Sequence, residues 1–142
     1  MTTPAFPIVG CCIDRSPSAD LVIDEAIRLR LKGVVGTLHL VHVMVPPEPL
    51  HAGPFTYREP DHLLVREARE WLDERAAAVR DAETVVLQGH PTDAVSEWAA
   101  RAGADLLIVA AHHGAVSRAL HGEFAGDLVY AAPCPVLALR PA

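Results

Sequence analysis

The residues with the clearest capacity for chemistry lie in the carboxyl-terminal part of this chain. An apolar run that predicts a strand (106–111) leads into a loop with Gly114, and then into a helix predicted to open near Gly122. Backbone N–H groups and the positive end of a helix dipole converge at such a junction, so it is a place where phosphate can bind. A phosphate would favour a hydroxyl at the start of that helix, but the chain has Glu123 there. The junction therefore raises nucleotide binding as a function, and Glu123 argues against it.

A second polar residue, Asp14, is predicted to face this junction. It follows an apolar run (7–13) that predicts a first strand covered on both faces. Five apolar runs alternate with four helical patterns, which is typical of a parallel α/β sheet. In such sheets the ligand crevice forms at the carboxyl ends of two neighbouring strands, where the winding reverses. If the first and fourth strands are those neighbours, Asp14 and the loop after residue 111 face each other across one crevice.

The predicted elements follow apolar periodicity and chain breakers. Ser16 is predicted to cap the first helix, which continues to about Lys32 and stops at Gly33. Trp71 and Trp98 fall on apolar helix faces and are predicted to belong to the core. The other predicted strands are 37–45, 84–87, 106–111 and 136–140, and the other predicted helices are about 59–80, 91–102 and 123–131.

Length and composition predict one globular domain over residues 1–142. The net charge of −6, with no cluster of basic residues, argues against nucleic acid as a partner. No apolar run reaches the roughly 18 residues of a membrane span, and no signal segment opens the chain, so we expect a cytoplasmic protein without a membrane partner. Cys11 and Cys12 are adjacent on a predicted strand, so they should face opposite sides and stay unpaired.

No catalytic or metal site is predicted. His39 and His42 lie three residues apart on a strand, and therefore on opposite faces, whereas His112 and His113 are adjacent after a strand. Neither spacing suits a shared metal ion. Ser16 has no neighbouring base that would make it a nucleophile. The loop 46–58 could cover the crevice as a lid or be a plain connection.

Taken in order and spacing, several segments make the chain resemble the universal stress protein family over nearly its whole length. These segments are 9–16 with Ile13-Asp14-Arg15-Ser16, 38–43, 88–91, 105–109 and, as the most specific, 112–137 with Gly114, Gly122 and Pro133-Cys134-Pro135. The resemblance implies an α/β fold of the flavodoxin-like, adenine-nucleotide alpha-hydrolase-like type. In that fold a five-stranded parallel sheet, with strand order 3-2-1-4-5, is sandwiched by helices. It also implies a dimer as the usual state, and a family in which one branch binds ATP and another does not.

The ATP-binding pattern of the family is only partly present. Its first glycine falls on Ala111, its second on Gly114, and its last glycine and hydroxyl residue on Gly122 and Glu123. Ala111 adds a Cβ where backbone and phosphate should approach closely. Only seven residues separate Gly114 from Gly122, two fewer than in the family pattern. The resemblance therefore implies a phosphate site that has been altered at three points.

The base- and ribose-side positions of the family fall on Asp14 and the backbone of Val43, and both remain. A carboxylate at ~4 Å from a phosphate charge costs roughly 4 kcal/mol at a protein surface. We therefore expect ATP with magnesium to bind weakly or not at all, and Arg15 is a candidate partner for Glu123. Arg118 could contact phosphate or could be an ordinary surface charge.

Three hypotheses for the function follow. The first is a dimeric stress-response module without a strong ATP site, and the second is a switch that binds ATP or another adenine nucleotide. The third, an enzyme that hydrolyses a nucleotide slowly, lacks a positioned base in the sequence. The dimer is expected to form through the last strand, from Val136 to Arg140, because an apolar edge strand can pair with the same strand of a second copy.

Overall fold

The computed structural model describes residues 3–45, 62–111 and 122–141, without the side chains of Gly122 and Glu123. The strands are β1 (Phe6–Cys12), β2 (Val35–Met44), β3 (Glu83–Gln88), β4 (Leu106–Ala110) and β5 (Val136–Leu139). The helices are α1 (Ser18–Leu31), α2 (His62–Ala77), α3 (Pro91–Ala102) and α4 (Gly122–Ala131). Every predicted strand and helix is present. Across the described ranges, no helix is long and apolar enough to cross a membrane.

The five strands form one parallel sheet in the order β3-β2-β1-β4-β5, which confirms the predicted order. β1 pairs with both β2 and β4, so that Cys11 lies opposite Leu40 on one side and Ile108 on the other. β2 and β3 lie on one side of β1, and β4 and β5 lie on the other side. The winding therefore reverses between β1 and β4, where the sequence placed the crevice.

The hydrophobic core has two layers, one on each face of the sheet. Buried side chains of α1 and α2 pack on one face, and those of α3 and α4 pack on the other. The central strands are covered on both faces because successive residues are apolar. Cys11 belongs to the first layer and Cys12 to the second, which confirms that these two thiols face opposite sides.

Helix α1 starts one residue later than the predicted cap at Ser16 implies. The helix begins at Ser18, and Pro17 takes the capping position without a side-chain hydrogen bond. The Ser16 hydroxyl donates to Oδ1 of Asp14 and accepts the N–H of Ser18 at 3.3 Å. Ser16 therefore still supplies an acceptor to the first residue of α1, while its O–H is bound by the carboxylate of Asp14.

Candidate functional site

Asp14 lies just beyond β1, where the carboxyl ends of β1, β2 and β4 meet. Its Oδ1 accepts a hydrogen bond from the Ser16 N–H at 2.9 Å and another from the Ser16 hydroxyl. Its Oδ2 is buried and has no hydrogen-bond partner among the residues that the structure describes. A buried carboxylate oxygen without a donor costs free energy. Within the described ranges, Oδ2 of Asp14 is therefore an acceptor that is open to a donor group of a ligand.

A crevice of about 500 Å³ opens beside Asp14, between the ends of β1 and β2 and the first part of α2. Its walls are mainly apolar, with Val43 and Met44 from β2 and Leu64 and Ala68 from α2. Val43, the base-side position implied by the resemblance, is half-buried in this wall. The volume falls within the ~300–1,000 Å³ that small-molecule pockets occupy. The crevice is therefore large enough to receive a ligand with a flat, apolar part.

Three side chains that line this crevice and one that packs beside them form a group of contacts, which we call the Arg15 cluster: Arg15, His42 and Glu67 of the lining, with Trp71. Nδ1 of His42 lies 3.1 Å from the Ile13 carbonyl oxygen, and its ring meets the Trp71 ring edge-on, with centroids 4.9 Å apart. The Cζ atom of Arg15 lies 5.4 Å from the Trp71 ring centroid. Nη1 of Arg15 lies 3.6 Å from Oε1 of Glu67. The cluster thus links the end of β1 to α2 through side chains alone.

The surroundings of His42 lower its pKa, so that the ring is neutral at pH 7. Burial is the largest cause and Arg15 adds to it, whereas the bond to the Ile13 carbonyl and the charge of Asp14 oppose the shift. A neutral imidazole with this contact donates its Nδ1–H to the carbonyl of Ile13. The Arg15 and Glu67 side chains are 50% and 64% exposed, so their ion pair contributes only ~0–1 kcal/mol.

The two tryptophans differ in their burial. Trp98 is 8% exposed and belongs to the core, as predicted. Trp71 packs against the core but is only half-buried, so the core prediction misses its contact with Arg15. Arg15 and Glu67 are 52 positions apart in the sequence, and no local pattern signals that they meet. The ion pair of Arg15 is with Glu67, while the side chain of Glu123, its predicted partner, lies outside the described residues.

The α4 side of the crevice is described less fully. The N–H of Ala111 donates to the Leu139 carbonyl at 2.7 Å. Helix α4 begins at Gly122, so Glu123 stands in its first turn. Gly114 and Arg118, like Ser117, the histidines at 112 and 113 and the possible lid 46–58, lie outside the described residues.

A small cavity of about 10 Å³ connects Asp14 to this second side. It is lined by Asp14, by Ser18 at the start of α1 and by Phe124 of α4, together with residues from the ends of β1 and β4. Asp14 therefore borders both the large crevice at α2 and the tighter space at α4. The structure brings together Asp14, Val43 and the beginning of α4 around the end of β1.

The described part of the chain contains no group of three or more His, Cys, Asp or Glu residues that could hold a metal ion. His39 packs against Trp98 with ring centroids 5.5 Å apart, whereas His42 packs against Trp71, so the two histidines face opposite sides as predicted.

Burial raises the pKa of Cys11 to about 12 and raises that of Cys12 as well. These thiols are therefore protonated and unreactive.

Comparison with known proteins gives a consistent result. A family model described as the universal stress protein family matches residues 6–140. The comparison with curated proteins found no match.

Several solved structures share the fold. The universal stress protein UspA from Lactobacillus plantarum is 20% identical, with a TM-score of 0.62 over 94% of this chain and 97% of that one. A universal stress protein from Archaeoglobus fulgidus in complex with dAMP is 22% identical, with a TM-score of 0.62 over 93% and 95% of the two chains. A universal stress protein family protein from Arabidopsis thaliana with AMP bound is 19% identical, with a TM-score of 0.61 over 96% and 92%. At these identities the likeness shows a common fold.

Proposed function

Since the chain belongs to the universal stress protein family, we propose that it is a small regulatory module of the stress response with a degenerate nucleotide site. In this proposal the crevice binds the nucleoside part of an adenine nucleotide and holds a triphosphate weakly or not at all. The observation that carries the proposal is the buried Oδ2 of Asp14, for which the described residues supply no donor. A ribose hydroxyl or a base amino group would supply one.

The α2 side of the crevice supports the nucleoside part of the proposal. Its apolar walls, with Val43 and Ala68 among them, suit one face or edge of a flat base. Asp14 lies at one end of this crevice, where a ribose attached to such a base would follow. Proteins with the same fold hold dAMP and AMP.

The α4 side supports the weak binding of a triphosphate. Glu123 stands in the first turn of α4, where the helix dipole favours a negative charge. As an anion in that turn it stabilises the helix by about 0.3–1 kcal/mol, and it repels a second anion that approaches the same turn. A carboxylate and a phosphate ~4 Å apart repel by roughly 4 kcal/mol, or about three powers of ten in affinity.

The test is calorimetric titration with adenosine, AMP and ATP, the last with and without magnesium. We expect adenosine and AMP to bind and ATP to bind least tightly. Glu123→Ser should raise the affinity for ATP and leave that for adenosine unchanged. Glu123→Gln is the matched control, because it removes the charge without adding a hydroxyl. If neither variant gains affinity for ATP, the shortened loop is the cause of the weak binding.

The same titration distinguishes our proposal from the alternative, a nucleotide-dependent switch that uses Asp14, Val43, Gly114 and Gly122. That function requires ATP to bind more tightly than AMP. ATP that remains bound through purification, seen in the absorbance of the denatured protein, would also favour the switch and contradict our proposal.

We propose that the module acts by binding rather than by catalysis, and that it works in the cytoplasm. Its three cysteines are unpaired, which suits a reducing compartment. Phosphate release from ATP and magnesium should not exceed that of the Asp14→Asn variant. Turnover that is lost in Asp14→Asn would show that the protein is a hydrolase.

We also propose that two copies pair through β5. This strand lies at one edge of the sheet. The carbonyl oxygens of Pro135 and Leu139 accept hydrogen bonds at 3.0 and 2.7 Å from N–H groups of β4 and of the residue that follows it. Because backbone groups alternate along a strand, those of Ala138 point away from β4 towards the open edge. A second β5 related by a two-fold axis would pair with them.

Light scattering at micromolar concentration tests the dimer. Ala138→Pro removes the outward N–H without touching the ladder to β4, so this variant should be a monomer. Ala138→Val keeps the N–H and should stay dimeric. A monomeric wild type, or an Ala138→Pro variant with the dimer mass, would rule out pairing through β5.

A further inference from the structure

We infer that Arg15 is the base-stacking residue of this crevice, with its planar guanidinium packed against the ring of a purine and Trp71 behind it as support. Arg15 would then determine specificity for the base of the ligand and not for its phosphate. This inference rests on the proposed function, because it concerns the same nucleoside site.

The position of Arg15 places it at the ligand. It follows Asp14 directly and lines the same crevice as Val43 and Leu64. Its guanidinium lies 5.4 Å from the centroid of the Trp71 ring, within the ~6 Å at which a cation is attracted to an aromatic face. A guanidinium is flat and weakly hydrated, and it stacks on aromatic rings.

Contacts with neighbouring side chains restrict Arg15 before any ligand arrives. Trp71 is braced by the edge of His42, whose Nδ1 is bonded to the Ile13 carbonyl at 3.1 Å. Glu67 approaches the guanidinium to 3.6 Å from α2. A side chain that such contacts restrict loses less conformational entropy when a ligand binds, which favours affinity.

The charges favour a base over a phosphate as the partner of Arg15. Two carboxylates, Asp14 and Glu67, line the crevice with this one guanidinium. A phosphate would have to displace Glu67 and would still lie near Asp14. A neutral, planar ring can stack on the guanidinium while the ion pair with Glu67 stays in place. Its remaining surface meets the apolar wall formed by residues such as Ala68.

The test compares adenosine and AMP on the full-length protein by calorimetric titration. Arg15→Lys keeps the charge and loses the planar group, so both ligands should lose affinity by the same factor, about threefold to tenfold. Trp71→Leu removes the support and should give the same pattern. Arg28→Lys is the matched control, because Arg28 is also exposed and paired with a glutamate but lies on α1. It should bind both ligands as the wild type does.

Each other outcome overturns the inference in a distinct way. Unchanged affinity of Arg15→Lys for adenosine would exclude stacking, and a loss for AMP alone would show that Arg15 binds phosphate. A lower melting temperature of Arg15→Lys, with adenosine affinity unchanged, would assign Arg15 a purely structural role. If the wild type does not bind adenosine, the proposed nucleoside site is wrong and the role of Arg15 is wrong with it. The titration of the wild type alone gives that result, whereas a failure of the Arg15 inference by itself appears only in the variants.

Discussion

Two histidine–tryptophan pairs lie on opposite faces of β2, and they have almost the same geometry. His42 and Trp71 have ring centroids 4.9 Å apart at an interplanar angle of 64°, and His39 and Trp98 have theirs 5.5 Å apart at 60°. Their surroundings differ. Trp98 is buried in the layer formed by α3 and α4, whereas Trp71 is half-buried beside Arg15.

Position in the sheet, and not residue type, separates the two pairs. His39 lies opposite Gly10 in the middle of β1, where its ring is half-buried against Trp98. His42 lies one residue past the pairing of Cys12 with Val41, level with the end of β1. There β1 has ended, and the next residues, Asp14 and Arg15, lie close to the rings of His42 and Trp71. The same two residue types therefore build core on one face and support a polar crevice on the other.

The largest expected difference between the pairs is in stability. Trp98→Ala should lower the free energy of unfolding by about 3–5 kcal/mol, because it leaves a cavity in a closed core. Trp71→Ala should cost roughly 1–2 kcal/mol, since solvent already reaches part of that ring. Urea denaturation followed by circular dichroism measures both. Equal losses would mean that Trp71 is a core residue after all and that the pairs do not differ.

The fold could be predicted from the sequence because its signals are local or short in range. Apolar runs, breakers such as Gly33 and the alternation of strands and helices were sufficient to identify every element. The position of Asp14 at the end of β1 followed from the same pattern. The predicted strand order, which the family resemblance implied, places the first and fourth strands side by side.

The Arg15 cluster could not be predicted, because its contacts join residues far apart in the sequence. Trp71 carries the same apolar-helix signal as Trp98, and only the three-dimensional arrangement shows that one of them meets an arginine. The hydrogen bond from the Ser16 hydroxyl to Asp14 is a further contact that the capping rule, which considers Ser16 alone, does not predict.

A smaller loss of stability is expected from a substitution at Gly10, which lies against the Trp98 face of the sheet. A Cβ added there would lie 2.6 Å from Cζ3 of Trp98 and 2.7 Å from Cδ2 of Leu107, both in the closed layer. Gly10→Ala should therefore destabilise the protein by about 1–3 kcal/mol through overpacking. Gly126→Ala is the control, because a Cβ there meets nothing within 4 Å and alanine favours the α4 helix by up to ~1 kcal/mol. If Gly10→Ala left the stability unchanged, Trp98 could move aside and its layer would be less closed than the burial of Trp98 suggests.

The smallest expected effect concerns the titration of the two histidines. Burial lowers the pKa of both, but Arg15 acts only on His42, whose pKa it lowers, and Glu83 acts only on His39, whose pKa it raises. Folding thus lowers both below the ordinary value of ~6.5. The two histidines bind protons more readily in the unfolded chain than in the folded one. Their contribution to the free energy of unfolding is therefore fully present above pH ~6.5 and is lost as the pH falls towards their lower pKa values in the folded protein.

Arg15→Gln should therefore raise the pKa of His42, leave that of His39 in place and reduce the loss of stability in acid. Glu83→Gln should do the reverse for His39, lowering its pKa and leaving His42 unchanged. NMR titration of the two imidazole Cε1–H signals follows both residues in one sample, so each is the internal control for the other. If Arg15→Gln shifted both histidines equally, the charge of Arg15 would act through the sheet as well as within the crevice. The two faces of β2 would then form a single electrostatic environment, and proximity to Asp14 would no longer explain why only one pair lies in a candidate site.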